Sequence, residues 1–294
     1  MGITSAMFTG VSGLLANADA INVIGNNLSN VNTVGYKDSR TLFSDMLSLN
    51  VGNNSQIGTG VKVQKIDNLF SAGSYESSTN VTDVAVQGDG FFVLASPNAT
   101  TATASTAYYT RAGSFRLDST GFGLVNPDGY RVVDTAGNAI VFSQTATDAA
   151  GNTLQFQKVS AIDSTGTLSL LYADANGNTA TLPYAGAGVA PTPASTAVKM
   201  AETKIPNPQG MLKQGGTLFT LTAASGAPTA PATGVFASAN GTNEKLLSND
   251  LEYSNVDMAT EFVNMITTQR AYSANSKTIT TADQMTQEVL NLKQ

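Results

Sequence analysis

Among its 294 residues the chain has no cysteine, no histidine and no tryptophan. Without cysteine there is no disulfide and no thiolate, and without histidine the usual general base near neutral pH and the commonest zinc ligand are missing. Charge is scarce as well: Asp, Glu, Lys and Arg make up 12% of the chain, the net charge is -6, and the pI is near 4.6. A basic footprint for nucleic acid or anionic lipid is absent, so no nucleic-acid partner is expected. The opening "MGITSAMFTGVSGLLANADAINVIG" has no positive charge ahead of its apolar positions, which are spaced rather than continuous, and it does not read as a cleavable secretory signal. No run of about 18 apolar residues occurs, and by that criterion no membrane span is expected. Ala6 stands where an N-myristoylation motif needs Ser or Thr.

What is present is 41% apolar residues, enough for real cores in two or three domains. The two longest amphipathic segments lie at the ends. Near the N-terminus Met7, Val11, Leu14, Ala18, Ile21, Gly25 and Leu28 alternate in steps of four and three, a heptad-like seam on one helix face. Gly10, Gly13 and Gly25 each weaken an isolated helix by up to about 1 kcal/mol relative to Ala, so this helix depends on partners. At the other end Ser254 and Asn255 offer an N-cap, Asp257 and Glu261 suit the positive end of the helix dipole, and Lys293 suits the negative end. Phe262, Met265, Ile266, Tyr272, Ile279, Ala282, Met285, Val289 and Leu292 form the stripe of a helix about 60 Å long.

Between the helices the pattern is that of strands: "GTGVKVQKI" from Gly58, "DVAVQGDGFFVLA" from Asp83, "AYYTRAGSFRLD" from Ala107 and "GYRVVD" from Gly129. Asp-x-x-Gly recurs at Asp118, Asp134, Asp148, Asp163 and Asp174, which predicts turns of an antiparallel meander, with Asp bonding its own backbone and Gly supplying positive φ. Calcium loops would need several clustered carboxylates, and each turn here has one Asp, so no metal site is expected. The "GDGFF" stretch at Gly88 lacks the Lys and following helix of a phosphate cradle. Pro- and Gly-rich "GAGVAPTPAST" from Gly186 and "SGAPTAPATG" from Ser225 read as exposed loops. Asp45, Asp83 and Glu252 are the carboxylates that could be nominated for acid-base work. No second polar group accompanies them at a diagnostic spacing, and they are expected to be solvated. Neither an enzymatic activity nor a cofactor is expected.

The class is therefore α+β and discontinuous. Terminal helices are expected to pair in a coiled hairpin, with a central antiparallel β-rich domain joined to it by an extended linker. The expected bounds are 1–34 with 254–294 for a helical polymerisation core, 35–76 with 238–253 for the linker, and 77–237 for the outer domain. Val263, Ala271 and Ala274 widen the C-terminal stripe beyond what one partner helix covers, so further copies are the natural cover. The expected subunit-interface residues are Met7, Val11, Leu14, Ala18, Ile21, Leu28, Phe262, Met265, Ile266, Tyr272, Ile279, Met285, Val289 and Leu292. A heterologous contact that does not close makes a helical filament.

The residues also carry a resemblance. "GLLANADAINVIGNNLSNVNTVGYKDSRTLFSDM" and "SNVDMATEFVNMITTQRAYSANSKTITTADQM" resemble the N- and C-terminal motifs of the bacterial flagellar axial proteins, the rod and hook family. "VAVQGDGFF", "YTRAGSFRLDSTGFGLVNPDGYRV" and "IPNPQGMLKQGGTLFTLTAASGAP" are similar to that family's β-domain signatures in the same order. The resemblance implies a substrate of the flagellar export apparatus, secreted without signal-peptide cleavage, that polymerises into a hollow tube lined by its terminal helices. Within the family it is nearest to the hook-protein branch, in a short form without the large outer domain. The short "LSLNVGNNSQIGTG" after Met46 favours that branch, and the distal rod is the alternative. The implied product is a curved universal joint on the extracellular side of the basal body, whose neighbours are rod, hook-cap and hook-filament junction proteins.

Overall fold

The computed structural model describes residues 3–52, 55–175, 177–228 and 235–292. Lys293, Asn176 within the Asp174 turn, and residues 229–234 of the loop from Ser225 lie outside them. The chain forms two compact units, one of Met1–Val31, Lys37–Leu69 and Val256–Gln294, the other of Asn32–Tyr36 and Phe70–Asn255.

The first unit holds helix α1 (Ile3–Ser29), helix α2 (Met258–Asn291) and a two-stranded ladder of Ser39–Asp45 with Val61–Asn68, tipped by the hairpin of Leu49–Gly52 and Ser55–Ile57. Residues 37–69, most of the expected linker, group with the helices by their contacts. Seven backbone pairings, interrupted by a bulge at Leu42 and Phe43, make the segment a ladder. Its first strand is fixed to α1 by Asn27, whose amide donates to the Ser39 carbonyl at 2.7 Å and accepts from the Ser39 N–H at 3.1 Å. The N-cap of α2 is Asp257, just after the expected Ser254–Asn255: its carboxylate accepts from the Ala259 N–H at 3.0 Å and from the Thr260 hydroxyl at 2.7 Å. By length and composition α1 is apolar enough over Ser5–Ser29 to cross a membrane. Thr, Ser, Gly and Asn interrupt the segment, so it is not an unbroken apolar run, but Asp19 is its one charge.

The second unit is antiparallel throughout. Its largest sheet runs Leu212–Gly215, Leu218–Thr220, Tyr108–Thr110, Gly90–Ala95, Arg131–Val132, Leu124–Val125, Arg116–Leu117, with Glu202–Lys204 also paired to Gly90–Ala95. Every residue of Gly90–Ala95 is buried. Alternation sends Phe92 and Leu94 into one core with Phe115, Leu124 and Phe142, and Phe91, Val93 and Ala95 into a second with Tyr109, Phe219 and Phe236. A strand buried on both faces loses its polar alternation, which is why "GFFVLA" reads as a continuous apolar run.

The other large sheet is a meander of Thr145–Thr147, Thr153–Ile162, Leu168–Ala173 and Thr179–Pro183. Its three connections are the Asp148, Asp163 and Asp174 turns, closed by N–H to carbonyl bonds from Gly151, Gly166 and Gly177 of 3.1, 2.8 and 3.2 Å. These glycines sit at φ of 84°, 83° and 87°, as the left-handed position requires. The Asp118 and Asp134 turns follow the same plan, and Asn126 with Gly129 adds one that an Asp-based pattern could not find.

The chain enters and leaves this unit on paired strands, Tyr75–Ser77 with Asp250–Glu252 and Val84–Gln87 with Lys245–Ser248. Here the expectation of solvated carboxylates fails for two of three: Asp45 is exposed, but Asp83 and Glu252 are buried. Asp83 accepts from Ser78 at 2.5 Å and Asn80 at 3.2 Å. Glu252, with no exposed surface, faces the Arg111 guanidinium at 3.3 Å and accepts from the Gly73 N–H at 3.0 Å. Arg111 also donates to the Gly88 carbonyl at 2.7 Å and lies 5.0 Å over the Phe91 ring. Replacing Arg111 by Met strands the Glu252 charge and is expected to cost about 3–5 kcal/mol, read from the urea midpoint of the cooperative β-sheet transition. A second change, Glu252→Gln, should recover part of it. A loss under about 1 kcal/mol would show that the pair is not structural.

Candidate assembly surface

α1 and α2 lie side by side and antiparallel. Gly10 meets Ile279, Gly13 meets Asn275, and Asn27 donates to Glu261 at 3.2 Å. The α1 residues buried in this contact are Gly10, Gly13, Ala16, Ala20, Ile24 and Asn27, which step by three or four. That seam is the expected heptad-like stripe turned back by one residue, except that Ala16 takes the place of Asn17. A Cβ on Gly10 would stand 2.8 Å from Ile279 Cγ1, and one on Gly13 would stand 2.7 Å from the Asn275 amide. The glycines that weaken the free helix are thus what lets the two helices approach. Gly25 has nothing within 4 Å of the position its Cβ would take and serves no such purpose. Small residues at 10, 13, 16 and 20 were the available signal, masked by the larger apolar residues beside them.

Polar residues fix the register. Asn27 bonds both Ser39 and Glu261, and Glu261 accepts from Asn264 at 3.1 Å, so the carboxylate is held at two oxygens while 7% exposed. Glu261, expected only as a partner of the helix dipole, is thus a register contact, and nothing in the local sequence marks Asn27 as its partner. On the ladder side, the Ser12 hydroxyl accepts from the Val61 N–H at 3.3 Å, and a Cβ on Gly60 would overlap that hydroxyl.

Apart from Ile279, which packs at Gly10, the stripe expected to make subunit contacts lies off this seam. Met7, Leu14, Ala18, Ile21 and Leu28 are half-buried and Val11 is exposed; on α2, Met265 and Ile279 are half-buried while Phe262, Ile266, Tyr272, Met285, Val289 and Leu292 are exposed. Phe8 and Leu15 add to the α1 face at 72% and 64% exposure. Of the 34 residues of α2, only Glu261 and Ala282 are buried. An open groove of about 500 Å³ separates Ala6 from Ala274, Thr278 and Met285. The ladder carries a further apolar set, with Phe43, Met46, Leu47, Leu49, Ile57 and Ile66 exposed. Among the described residues no group of three Asp or Glu side chains could hold a metal ion.

Three family models match this chain. The flagella basal body rod protein model matches residues 7–37, the flagellar hook protein FlgE/F/G D1 domain 85–170, and the flagellar basal body rod FlgEFG protein C-terminal model 248–292. The flagellar basal-body rod protein FlgG of Bacillus subtilis (strain 168) is 34% identical over 98% of both chains. The chain belongs to the flagellar rod and hook family. It is also 32% identical to FlgG of Borreliella burgdorferi over 98% of each. Against the flagellar hook protein FlgE of Treponema pallidum it is 35% identical, over 48% of this chain and 33% of that protein. This is a family of structural proteins, and the matched segments fall on α1, the largest sheet with part of the meander, and α2.

The close approach generates a paired expectation. Gly13→Leu should part the helices, at about 1–3 kcal/mol or more of overpacking, whereas Gly25→Ala should leave them paired and gain up to about 1 kcal/mol. Protease susceptibility of α2 in the monomer reads the difference. Equal behaviour of the two variants would mean that the seam is not at Gly10 and Gly13.

Proposed function

We propose that this chain is a structural subunit of the flagellar rod, exported without cleavage and polymerised with copies of itself into a hollow helical tube that transmits torque as a drive shaft. The observation that carries the rod reading is end-to-end correspondence with proteins named as rod components, with 98% of each chain aligned. The hook, a curved universal joint, is the second reading. It is favoured by the short stretch after Met46, but the hook relatives cover 48% and 42% of this chain.

In this proposal residues 1–34 and 254–294 form the tube wall as a coiled hairpin, 35–76 and 238–253 link it to the outer part, and 77–237 face outward. The exposed stripes on α1 and α2 meet other copies. Full burial of a Phe, Ile, Met or Leu side chain contributes about 1.5–3 kcal/mol. A few such residues per contact add to the stability of the already paired helices when copies assemble. The seam of α1 on α2 supports a place in the wall for α1 rather than in a bilayer. Its neighbours would be other axial proteins and the export apparatus, and its place the basal body.

Ile266→Asp, at a site half exposed in the single chain, should leave the monomer folded and secreted but unable to polymerise, because assembly would bury an unpaired carboxylate. Normal filaments from this variant would remove Ile266 from the interface. Rod and hook are separated by a helical reconstruction of filaments grown from this chain alone. Straight tubes with the 39–68 ladder braced between neighbours support the rod; curved tubes with that ladder free of its neighbours return the hook reading.

A further inference from the structure

Glu202 opens the short strand Glu202–Lys204, and its side chain turns inward over Gly90 rather than out to solvent. It is 2% exposed, and neither carboxyl oxygen has a hydrogen-bond partner. A Cβ on Gly90 would overlap Oε1, so glycine is what makes room for the carboxyl. The groups around it are few. Arg111 is committed to Glu252 and to the Gly88 carbonyl. The Asp89 carboxylate, from the loop before Gly90, is paired with Lys204 at 2.6 Å. Glu244 comes from the segment before Lys245–Ser248, and its Cγ would lie 3.1 Å from a Cβ on Gly88. Residues 235–243, which reach the strand through the Ala237 carbonyl accepting from the Glu202 N–H at 3.0 Å, carry no charge.

A buried carboxylate without a partner is tolerated when it is neutral. We propose that Glu202 is a proton-operated latch of the β-rich unit: protonated, it stays sealed between Gly90 and segment 236–244, and ionised, it is driven toward water and loosens that segment. Burial first, then the Glu244 carboxylate, push the Glu202 carboxyl up to about 7, against the opposing pull of Arg111. The sign follows. A folded-state value above the unfolded one of 4.5 gives stability that is complete below about pH 4.5 and lost as pH rises through about 7. The lowered aspartates, Asp118 and Asp148 among them, act in the opposite sense but only at more acid pH.

The test is denaturant unfolding of the full-length monomer from pH 5.5 to 8.5, beside Glu202→Gln, which copies the neutral carboxyl in shape. In the wild type the folding equilibrium constant should fall about tenfold between pH 5.5 and 6.5 and level off above about 7.5, as one-proton linkage requires. Glu202→Gln should abolish that slope. Hydrogen exchange in peptide 236–244, corrected for the intrinsic pH effect, should rise with pH in the wild type alone. A slope shared by both proteins overturns the proposal, as does loosening spread evenly over the unit. If Glu202→Gln fails to fold, the wild-type carboxyl titration by carbon NMR decides: a glutamate midpoint near 7 supports the latch, and none above about 5.5 overturns it.

Discussion

Everything in the larger unit depends on the chain returning to where it entered. Residues 70–255 leave and come back on neighbouring strands, Tyr75–Ser77 against Asp250–Glu252 and Val84–Gln87 against Lys245–Ser248. Short two-stranded ladders are weak by themselves. Glu252 strengthens the closure because one residue holds three separate parts of the chain: its carboxylate faces Arg111, its other oxygen takes the Gly73 N–H, and its backbone carbonyl takes the Gly35 N–H at 2.7 Å. Gly35 has φ of 69°, and a Cβ there would overlap the backbone of Ala112, so the entering segment can lie this close only as glycine. The ion pair specifies which strands meet, while the two cores on either side of Gly90–Ala95 supply the stabilisation.

In the helical unit the division is by side-chain size. Small residues on α1 face α2, and the large ones, Phe8, Val11 and Leu15, are turned away. A seam of this kind contributes little hydrophobic free energy for its length, since Gly and Ala bury little apolar area. It gains from close backbone approach, and from the Asn27, Ser39 and Glu261 bonds that set the register. Most of the apolar surface of α2 is left outward, which couples the stability of the helices to whatever covers them.

Features governed by neighbours in sequence were legible from it. The Asp-x-x-Gly turns needed only four residues each, and the helices and alternating strands followed from periodicity. The register of the α1 seam was not legible, because stripes centred on Gly10 and on Val11 are both apolar and differ by a 100° rotation that only the partner resolves. The burial of Glu252 was equally hidden, since Arg111 lies 141 residues away in sequence. The α2 cap is ambiguous in sequence because Ser254, Asn255 and Asp257 are all good cap residues. Within the family, the terminal motifs and the short stretch after Met46 resemble the hook branch, and the relatives aligned over the whole chain favour the rod.

Glu252 and Glu202 make an instructive contrast, for both are buried glutamates near a single guanidinium. Arg111 has a fixed fork of donors, which it spends on Glu252 and on the Val86 and Gly88 carbonyls. Glu202 feels its charge but receives no hydrogen bond from it. Bonding to a charged partner is what keeps a carboxylate ionised in a core, and distance alone gives a weaker field that burial outweighs. The same cation therefore bonds the one glutamate that closes the unit and leaves the other without a hydrogen-bond partner. Moving the guanidinium toward Glu202 would exchange their roles only by opening the strand pair that Glu252 secures, so the asymmetry is built into the topology of the return.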